Sequence, residues 1–162
     1  MKKRIVLIGL IICMTGCNFE RPTQFSNEAL NDAFIGLDGN SVTFQSILDE
    51  NAGETILVDV WASWCKDCIV GMPALKALQQ EFPNVKFLFL SLDRSVSGWK
   101  NGIMKYELEG MHYYMQSGWD GPFGEFIRMN WIPRYMVVDP QGTITLFKAT
   151  KIIDKRIKDA LQ

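Results

Sequence analysis

The stretch TILVDVWASWCKDC, residues 55–68, decides the fold. Its first seven residues are apolar apart from Thr55 and Asp59 and are rich in β-branched side chains, which is typical of a strand buried on both faces of a parallel sheet. Residues 69–78 then carry apolar side chains at helical spacing. The sequence therefore predicts a strand that runs directly into a helix, with two cysteines at the junction.

Cys65 and Cys68 are separated by two residues at the expected N-terminus of this helix. Unpaired backbone N–H groups and the helix dipole stabilise a thiolate relative to a thiol at that place. Cys65 is therefore the candidate nucleophile. Cys68, one turn later, can attack Cys65 and release what is bound to it. We interpret the pair as a dithiol–disulfide exchange centre.

Two other interpretations of the cysteine pair stay open at this point. The pair could be half of a zinc site, but a structural zinc site needs four Cys or His ligands, and the chain has four cysteines and one histidine. It could also be a purely structural short-loop disulfide. That reading gives no reason for an acid in the adjoining strand or for the X-Pro turn at Ile132-Pro133.

The N-terminus indicates export and lipid attachment. Lys2-Lys3-Arg4 is a basic segment, and the apolar stretch 5–14 is shorter than the roughly 20 residues of a membrane-spanning helix. Met14-Thr15-Gly16-Cys17 resembles a bacterial lipobox. We expect residues 1–16 to be a lipoprotein signal peptide, Cys17 to be lipidated, and residues 17–30 to be a tether on the extracytoplasmic, periplasmic side of the bacterial envelope. An ordinary cleaved signal is the alternative.

Processing would leave one domain, residues 31–162, with Cys65 and Cys68 as the free thiols. The lost segment carries three of the 17 basic residues and none of the 18 acidic ones, so the mature net charge is about −4. That mild acidity argues against a nucleic-acid partner. We expect a monomer.

Local patterns predict an α/β fold with a central mixed sheet and helices on both faces. A βαβ unit at 55–92 places two strands in parallel, and a polar turn at 38–39 marks an N-terminal hairpin. The expected strands are 33–37, 41–44, 55–61, 85–92, 135–138 and 143–147. The expected helices are 44–50, 65–82, 97–108, a short one within 118–130, and 152–161. Residues 111–115 read as a short apolar segment.

These motifs together resemble thioredoxin: residues 56–68, Pro73 five residues after Cys68, and Trp131-Ile132-Pro133 before a hairpin. The lipid signal and the long insert before Ile132 are similar to the extracytoplasmic TlpA/ResA-like thiol–disulfide oxidoreductases. The resemblance implies a thioredoxin-like fold with an added N-terminal hairpin. It also implies a redox-active Cys65–Cys68 disulfide, with no other cofactor and no metal.

Asp59 interrupts a strand that should be buried on both faces, where an unpaired carboxylate is costly. Burial would raise its pKa towards neutrality, which suits a general base that deprotonates Cys68, the role that the resemblance implies. A strand-end Asp that reaches solvent or caps the next helix is the alternative. Some relatives carry Glu three residues after the second cysteine, where this chain has Gly71.

Ile132-Pro133 matches the cis-proline turn that lies against the dithiol in thioredoxin-like proteins. The implied role is to offer the backbone of Ile132 to an extended substrate segment. From the sequence alone, an ordinary trans proline before an edge strand is the better interpretation, and only the resemblance favours the cis turn. Trp64 is a candidate for an apolar docking surface. Arg134, beside the turn, is expected to be solvated.

The resemblance implies a membrane-anchored disulfide reductase that acts on extracytoplasmic protein disulfides and receives electrons from a thiol-reducing membrane donor. A disulfide oxidase or isomerase is one alternative. A lipid-anchored binding module that keeps the fold and makes little use of its thiols is the other.

Overall fold

The computed structural model describes residues 21–162, which form a seven-stranded mixed sheet with helices on both faces. The helices are α1 (Asn27–Leu30), α2 (Phe44–Glu50), α3 (Lys66–Glu81), α4 (Val96–Tyr106), α5 (Pro122–Phe126) and α6 (Lys155–Leu161). The strands are β1 (Ala33–Gly36), β2 (Ser41–Thr43), β3 (Ile56–Trp61), β4 (Lys86–Ser91), β5 (Met111–Tyr114), β6 (Arg134–Val138) and β7 (Ile144–Ala149).

The strand order is β2-β1-β5-β4-β3-β6-β7. Strands β3, β4 and β5 are parallel to one another, whereas β1, β2, β6 and β7 pair antiparallel. Both parallel connections step the same way across the sheet, so right-handed crossovers place α3 and α4 on one face. An ion pair from Lys158 to Glu81 joins α6 to α3, and α1, α2 and α5 contact one another on the opposite face. The expected mixed α/β architecture with an N-terminal hairpin is confirmed.

Strand β3 is the central structural element. It is hydrogen-bonded to β4 on one side and β6 on the other, and all six of its residues are buried. A strand with no exposed face selects an unbroken apolar run rather than an alternating pattern. Asp59 is the exception to that run, so its burial is a consequence of its place in the sheet.

Strand β5 was expected only as an apolar segment, without an assigned structure. It pairs with β4 in parallel and with β1 antiparallel, and it thereby joins the N-terminal hairpin to the sheet. Helix α6 begins at Lys155, three residues later than expected, because the Asp154 side chain accepts a hydrogen bond from the backbone N–H of Arg156 and caps the helix there.

The segment before residue 31 differs from the expected tether. The backbone oxygen of Thr23 accepts a hydrogen bond from Ile144 N at 2.8 Å. Phe25 packs against the rings of Phe44, Phe123 and Phe126, and Ala29 is fully buried. Residues 23–30 are therefore part of the packed domain. A polar stretch with only a few apolar residues carries too little periodicity to show this in the sequence.

The expected signal peptide 1–16 and the lipidation site Cys17 lie outside the described residues. Within residues 21–162, no helix is long and apolar enough to cross a membrane.

Packing of the N-terminal segment is testable with Phe25→Ala. We expect it to lower the free energy of unfolding by about 2 kcal/mol, less than the ~3–5 kcal/mol of a fully buried phenylalanine, since Phe25 is only partly buried. Urea unfolding followed by tryptophan fluorescence measures the change. Gln24→Ala, at an exposed neighbour, is the control and should change stability by less than about 0.5 kcal/mol. If both variants changed the free energy of unfolding by equal, negligible amounts, the segment would be a tether, as expected from the sequence, and not part of the packed domain.

Candidate active site

The two cysteines lie where β3 ends and α3 begins, and they form a disulfide with their Cα atoms 5.3 Å apart. Cys65 is the N-cap residue of α3, and its Sγ accepts a hydrogen bond from the backbone N–H of Cys68 at 3.1 Å. The same N–H group and the helix dipole would stabilise a thiolate on Cys65 once the disulfide is reduced. Both cysteines are at most 6% exposed.

The Ile132–Pro133 peptide bond is cis, and the turn lies directly against the dithiol. Cys65 Sγ is 3.7 Å from the backbone oxygen of Ile132. The turn is held at this place because β6, which follows it, pairs with β3, the strand that leads into Cys65. The structure therefore brings together Cys65, Cys68 and Ile132-Pro133, which are far apart in the sequence.

An apolar groove of about 490 Å³ opens beside Cys65. Its walls include Trp64 and Trp131, which are 48% and 56% exposed. Exposed tryptophans next to a reactive sulfur offer a large apolar area for contact with a partner. Trp64, which was a candidate for a docking surface, therefore lines this groove together with Cys65, and its part in docking stays a prediction.

Asp59 is buried beneath the dithiol. It is 6% exposed, its Oδ1 has no hydrogen-bond partner among residues 21–162, and it borders a small gap that Cys68 and Tyr135 also line. The gap has no room for a water molecule in this disulfide state. Burial raises the pKa of Asp59 to about 8. The alternative of an Asp that reaches solvent or caps the helix does not hold, since Cys65 itself caps α3.

Tyr135 and Asp93 contribute to the site and were missed in the sequence. Tyr135 is opposite Asp59 in the β3–β6 register, and burial together with the Asp59 charge raises the pKa of its hydroxyl. Asp93 accepts hydrogen bonds from the backbone N–H and the hydroxyl of Ser63 and from Ser91 Oγ. It thereby fixes the loop that leads to Cys65. Its position just after β4, next to the end of β3, is the signal that could have revealed it.

Arg134 was expected to be solvated, and this is wrong. Its side chain is fully buried, and Nη2 donates a hydrogen bond to the backbone oxygen of Arg128 at 2.9 Å. The reason is its place in β6, which lies between β3 and β7 in the sheet. Neighbouring residues of a strand point to opposite faces, so Arg134 faces away from Tyr135, Asp59 and the dithiol.

The described residues contain no cluster of three or more Cys, His, Asp or Glu side chains arranged to hold a metal ion. The single histidine, His112, is buried, stacks on Phe89 and contacts the backbone oxygen of Leu108 through Nε2. Its environment is that of a structural side chain.

A family model described as thioredoxin-like matches residues 53–144, more than half of the chain. The chain therefore belongs to the thioredoxin-like family. Thioredoxin-like protein YneN of Bacillus subtilis is 42% identical over 80 residues, which are 48% of this chain and 47% of YneN. Thiol-disulfide oxidoreductase ResA of Bacillus cereus is 24% identical over 123 residues, 67% of this chain and 69% of ResA. The chain thus spans about half the length of the first relative.

Solved structures agree with this family. A Bacteroides vulgatus protein assigned as a thiol-disulfide oxidoreductase is 30% identical, with a TM-score of 0.64 over 78% of this chain and 81% of that one. A secreted Mycobacterium tuberculosis disulfide oxidoreductase homologous to E. coli DsbE is 19% identical, with a TM-score of 0.63 over 84% of this chain and 98% of that one. The second likeness concerns the fold alone. The expected thioredoxin-like fold is confirmed, and the family and its relatives support thiol–disulfide chemistry at Cys65 and Cys68.

The raised pKa of Asp59 makes a pH-dependent stability difference measurable with Asp59→Asn. An unfolded Asp has a pKa of about 3.9, so between about pH 4 and pH 8 the folded state holds a proton that the unfolded state releases. Stability of the wild-type protein must therefore fall as pH rises through this window. The amide of Asp59→Asn cannot ionise, so the stability of this variant does not fall in that pH range for this reason.

We expect Asp59→Asn to be more stable than the wild-type protein by a few kcal/mol at pH 9, since each pKa unit corresponds to about 1.4 kcal/mol. The difference should shrink steadily towards pH 4. Urea unfolding of the oxidised proteins across pH 4–9 measures it. Asp159→Asn, at an exposed helix position, is the matched control and should show little pH dependence. A difference between Asp59→Asn and the wild-type protein that is constant with pH would contradict the raised pKa.

Proposed function

We propose that this protein is a thiol–disulfide oxidoreductase of the thioredoxin type, and that it works as a membrane-anchored reductase of extracytoplasmic protein disulfides. The observation that carries the chemistry is the Cys65–Cys68 disulfide at the N-terminus of α3, beside the cis Ile132–Pro133 turn. A purely structural disulfide does not require an adjoining groove or a buried acid beneath it.

The first step is attack of the Cys65 thiolate on a substrate disulfide. One substrate sulfur leaves as a thiolate and takes up a proton, while the other becomes bonded to Cys65 in a mixed disulfide. The helix N-terminus favours the thiolate form of Cys65 before the attack. Because Cys65 Sγ lies close to the Ile132 backbone, a substrate segment extended along this turn would present its disulfide to Cys65.

The second step resolves the mixed disulfide. Cys68 loses its proton to Asp59, and its thiolate attacks the Cys65 sulfur. The bond from Cys65 to the second substrate sulfur breaks, that sulfur leaves as a thiolate and takes up a proton, and the Cys65–Cys68 bridge remains. The substrate gains two electrons and the protein loses two. The pKa of Asp59, about 8, lies close to that of an ordinary thiol, so the fraction of Asp59 that is ionised near neutral pH can take the proton of Cys68 at little cost in free energy. Asp59 and Cys68 line the same gap, which supports this assignment.

The substrate-binding residues in this proposal are Trp64, Ile132 and Pro133. The backbone of Ile132 would bind an extended segment by short strand addition, and the groove beside Trp64 and Trp131 would take its apolar side chains. These contacts use backbone and apolar area, so they suit varied protein disulfides rather than one small molecule.

The reducing direction, the anchor and the compartment rest on the sequence. The buried Asp59 matches thioredoxin, and the lipobox-like segment that ends at Cys17 supports lipid attachment. In an oxidising compartment a reductase must be recharged, so its partner would be a membrane donor that delivers electrons as thiols. A disulfide oxidase or isomerase would share the site but differ in redox potential.

Trapping of the mixed disulfide tests the two-step chemistry. Reduced Cys68→Ser is mixed with a peptide that contains one disulfide, and mass spectrometry measures the adduct. We expect a stable adduct on Cys65, because no second thiol can resolve it. Cys65→Ser is the matched control, and its buried Cys68 should form little adduct. Equal adducts on both variants, or none on either, would favour the binding-module alternative.

The reduction potential of the Cys65–Cys68 pair tests the direction. We expect a value near about −270 mV or lower, as in thioredoxin, from titration of the wild-type protein against glutathione or dithiothreitol. A value towards about −120 mV would make the protein an oxidant. The trapping result is independent of this value, so the chemistry and its direction can fail separately.

A further inference from the structure

A basic pocket lies at the β7 edge of the sheet, and its lining comes from β6, β7, α6, the segment after α5 and the N-terminal segment. Its volume is about 390 Å³, roughly thirteen times the ~30 Å³ that a water molecule occupies in the liquid. The described lining residues include five cations and no acid: Arg21, Arg128, Arg134, Lys148 and Arg156. Such a concentration of positive charge is unexpected in a chain whose net charge is negative.

Arg134 lines this pocket, and two of its three guanidinium nitrogens lack a hydrogen-bond acceptor among the described residues. It is fully buried, and its one hydrogen bond is the contact from Nη2 to Arg128 O, so Nε and Nη1 have no acceptor among the described residues. A buried guanidinium without a counter-charge is costly, because it has lost its water and gained no anion. An anion held in the pocket would offset that cost.

The rim adds charge that is not neutralised within the described residues 21–162. The Lys148 ammonium donates a hydrogen bond to the side-chain oxygen of Asn130 and has no acidic partner among the described residues, and burial together with the Arg134 charge lowers its pKa. Arg21 has no ion-pair partner there, whereas Arg156 is paired with Asp154. Arg134, Lys148 and Arg21 therefore approach one cavity with no carboxylate between them.

We propose that this pocket binds a phosphate group. A carboxylate supplies one charge and two oxygens in a plane, which a single arginine can satisfy. A phosphate group carries its charge on several oxygens in a tetrahedral arrangement, which matches cations that approach from β6, β7 and the N-terminal segment. Access to Nε and Nη1 of Arg134 requires movement of the long rim side chains, and exposed side chains change rotamer within nanoseconds.

The phosphate could belong to a free small molecule or to a lipid headgroup. The full-length protein in non-ionic detergent is titrated calorimetrically with inorganic phosphate in one arm and with glycerophosphoglycerol, a lipid headgroup without its chains, in the other. Tighter binding of inorganic phosphate indicates a free ligand, and tighter binding of the diester indicates a lipid. Either result supports the site, and saturable binding of neither probe overturns it.

Single substitutions test whether the phosphate probe binds in this pocket. Lys148→Gln, at an exposed rim position, should weaken binding at least tenfold, whereas Lys105→Gln, an exposed lysine of α4 outside the pocket, should leave it unchanged. Arg134→Lys keeps the buried charge and removes the planar donor fork, and we expect it to weaken binding further, with circular dichroism as the check on folding. Equal weakening by Lys148→Gln and Lys105→Gln would show non-specific attraction and overturn the proposal.

Discussion

The continuity of β3 with α3 is the constraint on which the rest of the molecule depends. The strand is buried on both faces and hydrogen-bonded on both edges, so its C-terminal end has one position and one direction. Cys65, four residues beyond the end of the strand, is the N-cap of α3. Because β6 pairs with the same strand, the cis turn at Ile132-Pro133 must arrive beside Cys65. Placement of the sulfurs is thus set by sheet pairing.

The same constraint puts Asp59 where a carboxylate is least stable. Its neighbours in the register are Phe89 and Tyr135, neither of which can compensate a charge. Burial that raises the pKa of Asp59 also makes the folded protein less stable at high pH, so the property that would serve proton transfer and the cost in stability have one physical cause. A more stable residue at this position would lose the group that can take a proton from Cys68.

Local sequence patterns were sufficient to predict the elements whose contacts are made between residues close together in the chain. The βαβ unit at 55–92, the polar hairpin turns and the cysteine pair are of this kind. The structure differs where a contact depends on distant residues: Phe25 finds its partners in α2 and α5, and Arg134 is buried by strands on both sides. Asp93 likewise acquires its role only when the ends of β3 and β4 lie side by side, since Ser63 is 30 residues away.

Strand β6 contributes neighbouring side chains to two different sites, the dithiol site and the basic pocket. Tyr135 points to the face that holds Asp59 and Cys68, whereas Arg134 points to the opposite face and lines the basic pocket at the β7 edge. Pro133, which precedes Arg134 and Tyr135 in the chain, belongs to the turn that lies against the dithiol. The buried acid and the buried arginine are therefore kept apart although Val60 and Asp59 lie directly opposite Arg134 and Tyr135 in the register. The Asp59 carboxyl and the Arg134 guanidinium do not pair, because the alternation of a strand prevents the two from meeting. Each is thereby left available for a partner from outside the sheet.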